Sequence, residues 1–391
     1  MNKIEILDCT LRDGSYVIDN YFTRVDTSLI SSLLFKSGIK LVEVGHGMGL
    51  GASSRKYGYS LCKDEDYIES AVLTKNDKLC KVGSFFFPSI GNNTTIKSAK
   101  SAGLDFLRVG VDLEDIRSSK QTIEYAKLIG LKVFANLVKS YSMEPKALSQ
   151  KASELTKYGA DVICLVDSAG GMTPNEIINY FKILRDTIPK DILLNFHGHN
   201  NLGLANANCL AAIDGGATIV DSSIMGMGRS SGNAITEMLV AIFQRKKILK
   251  NKIDLNRLLH LATDVIAELN SNKIYAPDEI LFGKNFFHSS FQNKLRVLCK
   301  KNNFNYLEVL NSFNFKKIKK FNEIKIKNKL KKNKIIKKKT NKNIIKNISQ
   351  KEIILTNTSE IKNLREFSEL IKTEKKRKGS EIAITICRGK N

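Results

Sequence analysis

The sequence predicts an α/β protein built on a (β/α)₈ TIM barrel, with a small helical C-terminal extension and a basic low-complexity tail. Eight short apolar runs alternate with segments whose apolar residues recur every three or four positions, as strands alternate with amphipathic helices. Polar and small residues gather directly after the runs, where a barrel carries its active-site loops. The length of 391 residues accommodates a barrel of about 250 residues and one smaller appendage.

The eight apolar runs are the candidate strands, and eight parallel strands close a TIM barrel. A doubly wound open sheet is the weaker alternative. The intervening segments, such as QTIEYAKLIG, have helical spacing, and several end in a glycine that suits a helix C-cap. The candidate strands are IEILDCT (4–10), KLVEVGHG (40–47), KLCKVGSFFF (78–87), FLRVGVD (106–112), KVFANLVK (132–139), VICLVDSAG (162–170), LLNFHGH (193–199) and IVDSSIMG (219–226).

Composition divides the chain into four parts. Residues 1–250 contain the predicted catalytic barrel, and residues 251–314 a helical extension packed on it. Residues 315–350 consist largely of Lys, Asn and Ile and predict a mobile basic linker. Residues 351–391 have a strand, helix, strand pattern and are too short to bury a core alone.

The formal net charge of +24 belongs mostly to the tail. Residues 1–300 carry 37 Lys and Arg against 31 Asp and Glu, whereas residues 301–391 carry 26 against 8. One candidate function is therefore a non-catalytic barrel whose basic tail binds a polyanion. The tail lysines are not interleaved with stacking aromatics, which argues against a nucleic-acid partner.

The seven cysteines form no CxxC pair, so we expect reduced, buried thiols and a cytoplasmic location. The N-terminal residues lack an apolar signal core, and no apolar run reaches about 18 residues. We therefore expect neither secretion nor a membrane span.

A metal site is predicted where the seventh strand ends. His197 and His199 lie two positions apart in LNFHGHN, so their imidazoles project from the same face of the strand. Asp13 follows the first strand, which neighbours the eighth strand in a closed barrel. Asn233 follows the eighth strand and is a further candidate ligand, although an N-cap role is equally compatible with its position. Nitrogen and oxygen ligands suit a divalent ion: we expect Mn²⁺, with Mg²⁺, Co²⁺ or Zn²⁺ also compatible.

Such a metal could act as a Lewis acid on a 2-oxo acid. Arg12, beside Asp13, would then stabilise the enolate, because a guanidinium is planar and permanently charged. Glu43, at the end of the second strand, is expected to orient a ligand, water or substrate; a barrel-interior ion pair is the alternative.

Several segments resemble the DRE-TIM metallolyase superfamily, and within it the 4-hydroxy-2-oxovalerate aldolases, which are pyruvate-specific class II aldolases. The resemblance implies metal ligation by Asp13, His197 and His199, enolate stabilisation by Arg12, and a pyruvate contact near Ser168. The matching segments cover about residues 4–300 in order: DCTLRDG (8–14), VEVGHGMGLGASSRKYG (42–58), VDSAGG (166–171), HGHNNLGLANANCLAAIDGGA (197–217) and GMGRSSGNAITEML (226–239).

Two positions depart from the aldolase pattern. Tyr16 stands where those enzymes have a catalytic His after LRDG, and His288 precedes Ser-Ser-Phe where they have a Tyr. We hypothesise that the pair has exchanged positions, so that His288 and Tyr16 together move the proton of the substrate's 4-hydroxyl; packing roles are the alternative. An imidazole is a better base near neutral pH than a phenol with a pKa of about 10.

The predicted reaction is cleavage of a 4-hydroxy-2-oxo acid to pyruvate and an aldehyde, or the reverse condensation. A Claisen-type enzyme that condenses acetyl-CoA with a 2-oxo acid, like citramalate or homocitrate synthases, is the enzymatic alternative. The resemblance also implies an aldehyde dehydrogenase partner, and we expect a homo-oligomer.

Overall fold

Eight parallel strands pair in chain order and close into a barrel through the pairing of β1 with β8, which confirms the predicted (β/α)₈ fold. The computed structural model describes residues 3–269, 277–316, 318 and 321–332. The strands are β1 (Glu5–Asp8), β2 (Leu41–Glu43), β3 (Lys81–Phe86), β4 (Phe106–Val111), β5 (Lys132–Leu137), β6 (Val162–Asp167), β7 (Leu193–Gly198) and β8 (Ile219–Ser222).

One helix follows each strand, and local sequence sets several helix ends. Thr23 and Thr173 form capping boxes at the starts of α1 and α6, and Gly38 ends α1 with a φ of 103°. The barrel helices are α1 (Arg24–Ser37), α2 (Asp64–Val72), α3 (Asn93–Ser101), α4 (Lys120–Leu128), α5 (Pro145–Lys157), α6 (Pro174–Thr187), α7 (Ala205–Asp214) and α8 (Thr236–Lys246). Short 3₁₀ turns span Asp13–Ile18, Ile116–Ser119, Ser140–Ser142, Ile224–Gly226 and Ser289–Phe291.

The inside of the barrel changes from apolar to polar along the strands. Phe106 on β4 and Ile219 on β8 belong to an apolar cluster within the barrel. Side chains two positions apart on a strand share a face, so Arg108 and Asp221 lie one layer further along the same strands. Both are buried. The polar layer therefore lies between the apolar cluster and the carboxyl-terminal rim, beneath the loops that follow the strands.

Further helices follow the barrel: α9 (Leu255–Leu261), a π-helical turn (Ala262–Ile266), α10 (Ala267–Leu269), α11 (Pro277–Asn285), α12 (Gln292–Asn302), α13 (Tyr306–Ser312) and α14 (Glu323–Lys332). Leu258 and Leu261 of α9 join the main core, whereas the described residues from 282 to 326 bury an apolar cluster of their own. A Cβ on Gly171 would lie 2.2 Å from the carbonyl oxygen of Gly283, so α11 packs directly on the loop after β6.

Part of the predicted linker 315–350 is helical, because α14 falls within it and buries Ile326. Residues 333–350, and the predicted strand, helix and strand of 351–391, lie outside the described residues. None of the described helices is long and apolar enough to cross a membrane.

Candidate metal centre at the barrel rim

Asp13, His197 and His199 come together at the carboxyl ends of the strands. One ligand atom from each lies within 4.8 Å of the others, and all three residues are buried. Asp13 begins the turn after β1, and the two histidines lie at and just beyond the end of β7. Because β8 lies between β7 and β1 in the closed barrel, closure brings residues from the two ends of the barrel sequence together.

Hydrogen bonds orient both imidazoles. Nδ1 of His197 lies 3.0 Å from Oδ2 of Asp221, and Nδ1 of His199 lies 3.3 Å from the carbonyl oxygen of Gly232. In neutral rings these contacts place the proton on Nδ1, an assignment that follows from the hydrogen-bond partners. The Nε2 atom of each ring is then an available ligand, in the arrangement common for metal-binding histidines.

The protonation states suit a metal ion. Burial lowers the pKa of His199 to about 3, so its ring is neutral at neutral pH. Burial opposes the charged form of Asp13, but the Arg12 guanidinium and the two histidines hold the pKa of that carboxyl well below its usual range. Neutral imidazole and ionised carboxylate are the forms that bind metals.

Asn233 supplies an independent test of whether the residues fit a metal ion. Its Nδ2 donates to Oδ2 of Asp13 at 2.9 Å, whereas its buried Oδ1 has no hydrogen-bond partner among the described residues. A Cβ on Gly228 would lie 2.3 Å from Nδ2 of Asn233 and 2.7 Å from Oδ2 of Asp13. A buried acceptor without a partner is costly, so a cation beside this amide oxygen fits the site.

A chain of buried charges runs from the site into the barrel. Arg12 pairs with Asp13 at 2.7 Å through Nη1 and with Oε2 of Glu43 at 3.0 Å through Nε. Arg108 donates to the same Glu43 oxygen at 2.9 Å and also pairs with Asp221. Glu43 therefore forms the barrel-interior ion pair that the sequence analysis gave as the alternative, and this pair holds Arg12 in place. A contact between Glu43 and the substrate stays a prediction.

Arg108 and Asp221 were missed by the sequence analysis, although each is a charged residue within an apolar run. A charge inside a buried strand needs a partner, and that rule could have singled out both. Their partnership connects the Arg12 end of the network with His197, since Asp221 also contacts that ring.

Tyr16 follows Asp13 in the same 3₁₀ turn. The Arg229 guanidinium carbon is 4.5 Å from the centre of its ring, a cation–π distance. A Cβ on Gly47 would lie 2.6 Å from the ring, so the glycine allows the ring to pack there. Burial raises the pKa of Tyr16 above its ordinary value, although the Arg229 charge acts in the opposite direction. The phenol therefore stays protonated near neutral pH.

His288 is buried at the start of the 3₁₀ turn that precedes α12. Its Nδ1 accepts the backbone N–H of Ser290 at 3.2 Å and contacts the Ser290 hydroxyl at 2.6 Å. Burial, followed by the charges of Lys139 and Arg229, lowers the pKa of His288 well below its usual value. The ring is therefore neutral, although it is a weaker base than the near-neutral imidazole that the sequence analysis expected.

Ser168, directly after β6, is buried at the same rim. Its Oγ accepts the backbone N–H of Lys139 at 3.0 Å. Lys139 also lines a cavity of about 360 Å³ with residues at or just after the ends of β3, β4 and β5, including Phe87, Val111 and Asp112. Ser168 is thus hydrogen-bonded to a residue that lines this cavity.

Comparisons with known sequences agree with this geometry. The HMGL-like family matches residues 3–265. The 4-hydroxy-2-oxovalerate aldolase of Geobacillus genomosp. 3 is 37% identical over 289 residues, which cover 74% of this chain and 84% of that protein. The 4-hydroxy-2-oxovalerate aldolase 2 of Rhodococcus jostii (strain RHA1) is 37% identical over 300 residues, covering 76% and 86%.

Solved structures share the same architecture. The N-terminal domain of a candidate aldolase from Bacteroides vulgatus superposes with a TM-score of 0.64 at 26% identity, covering 75% of this chain and 97% of that one. The HMG-CoA lyase of Bacillus subtilis superposes with a TM-score of 0.58 at 19% identity, covering 72% and 98%. At that identity the second similarity concerns the fold alone.

Proposed function

The chain belongs to the HMGL-like family, and from that membership we propose that it is a metal-dependent aldolase. The proposed reaction is cleavage of a 4-hydroxy-2-oxo acid to pyruvate and an aldehyde, or the reverse condensation. Relatives named 4-hydroxy-2-oxovalerate aldolase, 37% identical over about three quarters of the chain, support it. The observation that carries the proposal is the buried cluster of Asp13, His197 and His199 with Arg12 at its edge.

Asp13, His197 and His199 are the proposed metal ligands, with the amide oxygen of Asn233 as a fourth. A divalent ion bound there supplies a Lewis acid for the keto and carboxylate oxygens of a 2-oxo acid. We propose Mn²⁺ as the ion; Mg²⁺, Co²⁺ and Zn²⁺ also accept mixed nitrogen and oxygen ligands.

Arg12 is the proposed electrostatic catalyst. Its guanidinium is held by Asp13 and Glu43, and its carbon lies 5.0 Å from the centre of the Phe85 ring. A cation fixed in advance stabilises negative charge without reorganising as the charge develops. Arg12 is therefore suited to stabilise the enolate oxygen of pyruvate, while Ser168 is the proposed contact of the pyruvate end.

His288 and Tyr16 are the proposed pair for the 4-hydroxyl proton. Because Nδ1 of His288 accepts the Ser290 N–H, the neutral ring carries its proton on Nε2, and it would take up the hydroxyl proton through Nδ1 in place of its Ser290 contact as the carbon–carbon bond breaks. The protonated Tyr16 phenol can donate a hydrogen bond to the same substrate oxygen. The exchange of residue types between the two positions would thus retain both roles.

We extend the proposal to a homo-oligomer located in the cytoplasm and to a dehydrogenase partner that would consume the released aldehyde. The free thiols of the six described cysteines support a reducing compartment. We propose the dehydrogenase partner because a released aldehyde is chemically reactive.

The test is pyruvate release from 4-hydroxy-2-oxopentanoate by purified protein with Mn²⁺, followed through lactate dehydrogenase. We expect metal-dependent turnover that a chelator and His197→Ala abolish. His260→Ala, which removes an exposed histidine of α9, is the matched control and should stay active. Absence of turnover while metal remains bound would contradict the proposal, and free thiol released from acetyl-CoA and a 2-oxo acid would indicate the condensing enzyme instead.

A further inference from the structure

Arg229 is held against the candidate metal centre by its own backbone. It follows Gly228 in the loop after β8, and its N–H donates to Oδ2 of Asp13 at 3.2 Å. The same carboxylate oxygen accepts Nδ2 of Asn233. The main chain at Arg229 is thus fixed by a proposed metal ligand, and its side chain starts at the edge of the site.

The Arg229 side chain lies over an aromatic ring and beside a thioether. Its guanidinium carbon is 4.5 Å from the centre of the Tyr16 ring, and its Nη2 is 3.9 Å from Sδ of Met48. Within residues 3–269, 277–316, 318 and 321–332, no carboxylate forms an ion pair with Arg229, whereas Arg12 and Arg108 both have such partners. A guanidinium has five N–H donors, so those that are not used on Met48 and Tyr16 are available for an anion.

Lys139 brings a second positive charge to the same region. Its Nζ lies 4.6 Å from the centre of the Phe291 ring, and its backbone bonds to Ser168. The charges of Lys139 and Arg229 both act on His288. Lys139 is influenced in turn by the carboxylates of Asp112 and Glu114, so Arg229 is the better candidate to bind an external anion.

We propose that Arg229 binds a carboxylate or phosphate group at the aldehyde end of the substrate, so that the preferred acceptor aldehyde is an anion. This inference rests on the proposed aldolase function. Arg12 and the metal ligands are assigned to the pyruvate half, and Tyr16 to the 4-hydroxyl. Arg229 lies over the Tyr16 ring. It is therefore placed to bind a substrate group on the aldehyde side of the 4-hydroxyl.

The test compares acceptors of similar length in the condensation with pyruvate. Succinic semialdehyde carries a carboxylate, glycolaldehyde phosphate carries a phosphate, and butanal carries no charge. We expect Mn²⁺-loaded protein to have a kcat/KM about 10- to 100-fold higher for an anionic aldehyde than for butanal, the range of one charge-assisted hydrogen bond. The preferred anion identifies the group that Arg229 binds.

Arg229→Met should lower kcat/KM for the anionic acceptor about 10- to 100-fold more than for butanal, and Arg229→Lys should retain part of the preference. Arg245→Met, on the exposed end of α8, is the matched control. Deuterium exchange of the pyruvate methyl group, which needs no aldehyde, is measured in parallel. We expect Arg229→Met to slow it no more than it slows the butanal reaction.

Three results would overturn the inference. Equal use of butanal and both anionic aldehydes by the wild type would show that no anion is recognised. A loss in Arg229→Met that is equal for all acceptors and for methyl exchange would place Arg229 at the pyruvate carboxylate. Absence of methyl exchange in metal-loaded wild type would refute the aldolase function itself, and the inference with it.

Discussion

Nδ1 of His197 and Oδ2 of Asp221 lie 3.0 Å apart inside the barrel, and Asp221 is held in turn by Arg108 and by Nδ2 of Asn195 at 2.8 Å. This contact fixes the ring so that Nε2 is the nitrogen left for a metal. Carboxylates that orient ligating histidines raise metal affinity, and their loss commonly costs about 10- to 100-fold. We therefore expect Asp221→Asn to weaken Mn²⁺ binding by about that factor.

Calorimetric titration of chelator-treated protein with Mn²⁺ would measure this loss. Asp8→Asn is the matched control, because Asp8 is equally buried but bonds to Thr10 and Thr236 and not to a histidine. Equal Mn²⁺ affinity of Asp221→Asn and the wild type would show that the contact between Asp221 and His197 does not affect metal binding.

Arg108→Met should destabilise the fold by about 3–5 kcal/mol, because Asp221 would remain buried without an arginine partner and Glu43 would keep only Arg12. Urea unfolding measures the change. Arg24→Met, which removes an exposed arginine paired with Asp66 at 3.0 Å, should cost less than about 1 kcal/mol. A similar, small cost for both variants would mean that the interior network contributes little.

His288→Ala should lower kcat for cleavage of 4-hydroxy-2-oxopentanoate by about 10²- to 10⁴-fold if the ring accepts the hydroxyl proton. Tyr16→Phe should also lower kcat, since the phenol's hydrogen bond is lost while its ring remains. Metal content of each variant is measured alongside, to separate a catalytic loss from a damaged site. Nearly normal turnover in His288→Ala would assign that residue to packing.

Stability should fall as pH rises between about 4 and about 7 through Asp8. Burial raises the pKa of Asp8 to about 7, against hydrogen bonds from Thr10 and Thr236 that favour the charged form. The folded protein then binds this proton more tightly than the unfolded chain, whose Asp has a pKa of about 3.9, so the free energy of unfolding decreases across this range.

Asp8→Asn resembles the protonated side chain and cannot titrate, so it should lack this contribution. Urea unfolding of both proteins at pH 5 and pH 8 gives the comparison. A wild-type protein that loses no more stability than Asp8→Asn over that interval would contradict the raised pKa.

The sequence predicted the barrel because strand and helix periods are local properties. Eight apolar runs correspond to β1 through β8, and Gly38 ends α1, as expected of the glycines that close the helical segments. The spacing of His197 and His199 placed both on one face, and closure of a predicted barrel was enough to bring Asp13 to them. The fold and the ligand cluster could therefore be predicted from patterns a few residues long, together with the rule that eight parallel strands close into a barrel.

Long-range contacts could not be predicted in this way. Arg108 and Asp221 are 113 positions apart, and their pairing depends on how the strands are staggered around the closed barrel. The cation–π contact of Arg229 with Tyr16 likewise joins loops from β8 and β1. The sequence by itself determined the strands, the helices and the residue types at the rim. Only the tertiary structure decided which buried charges pair, and that Arg229 forms no ion pair with a carboxylate among the described residues. Side-chain pairing depends on distances between segments, which local periodicity does not encode.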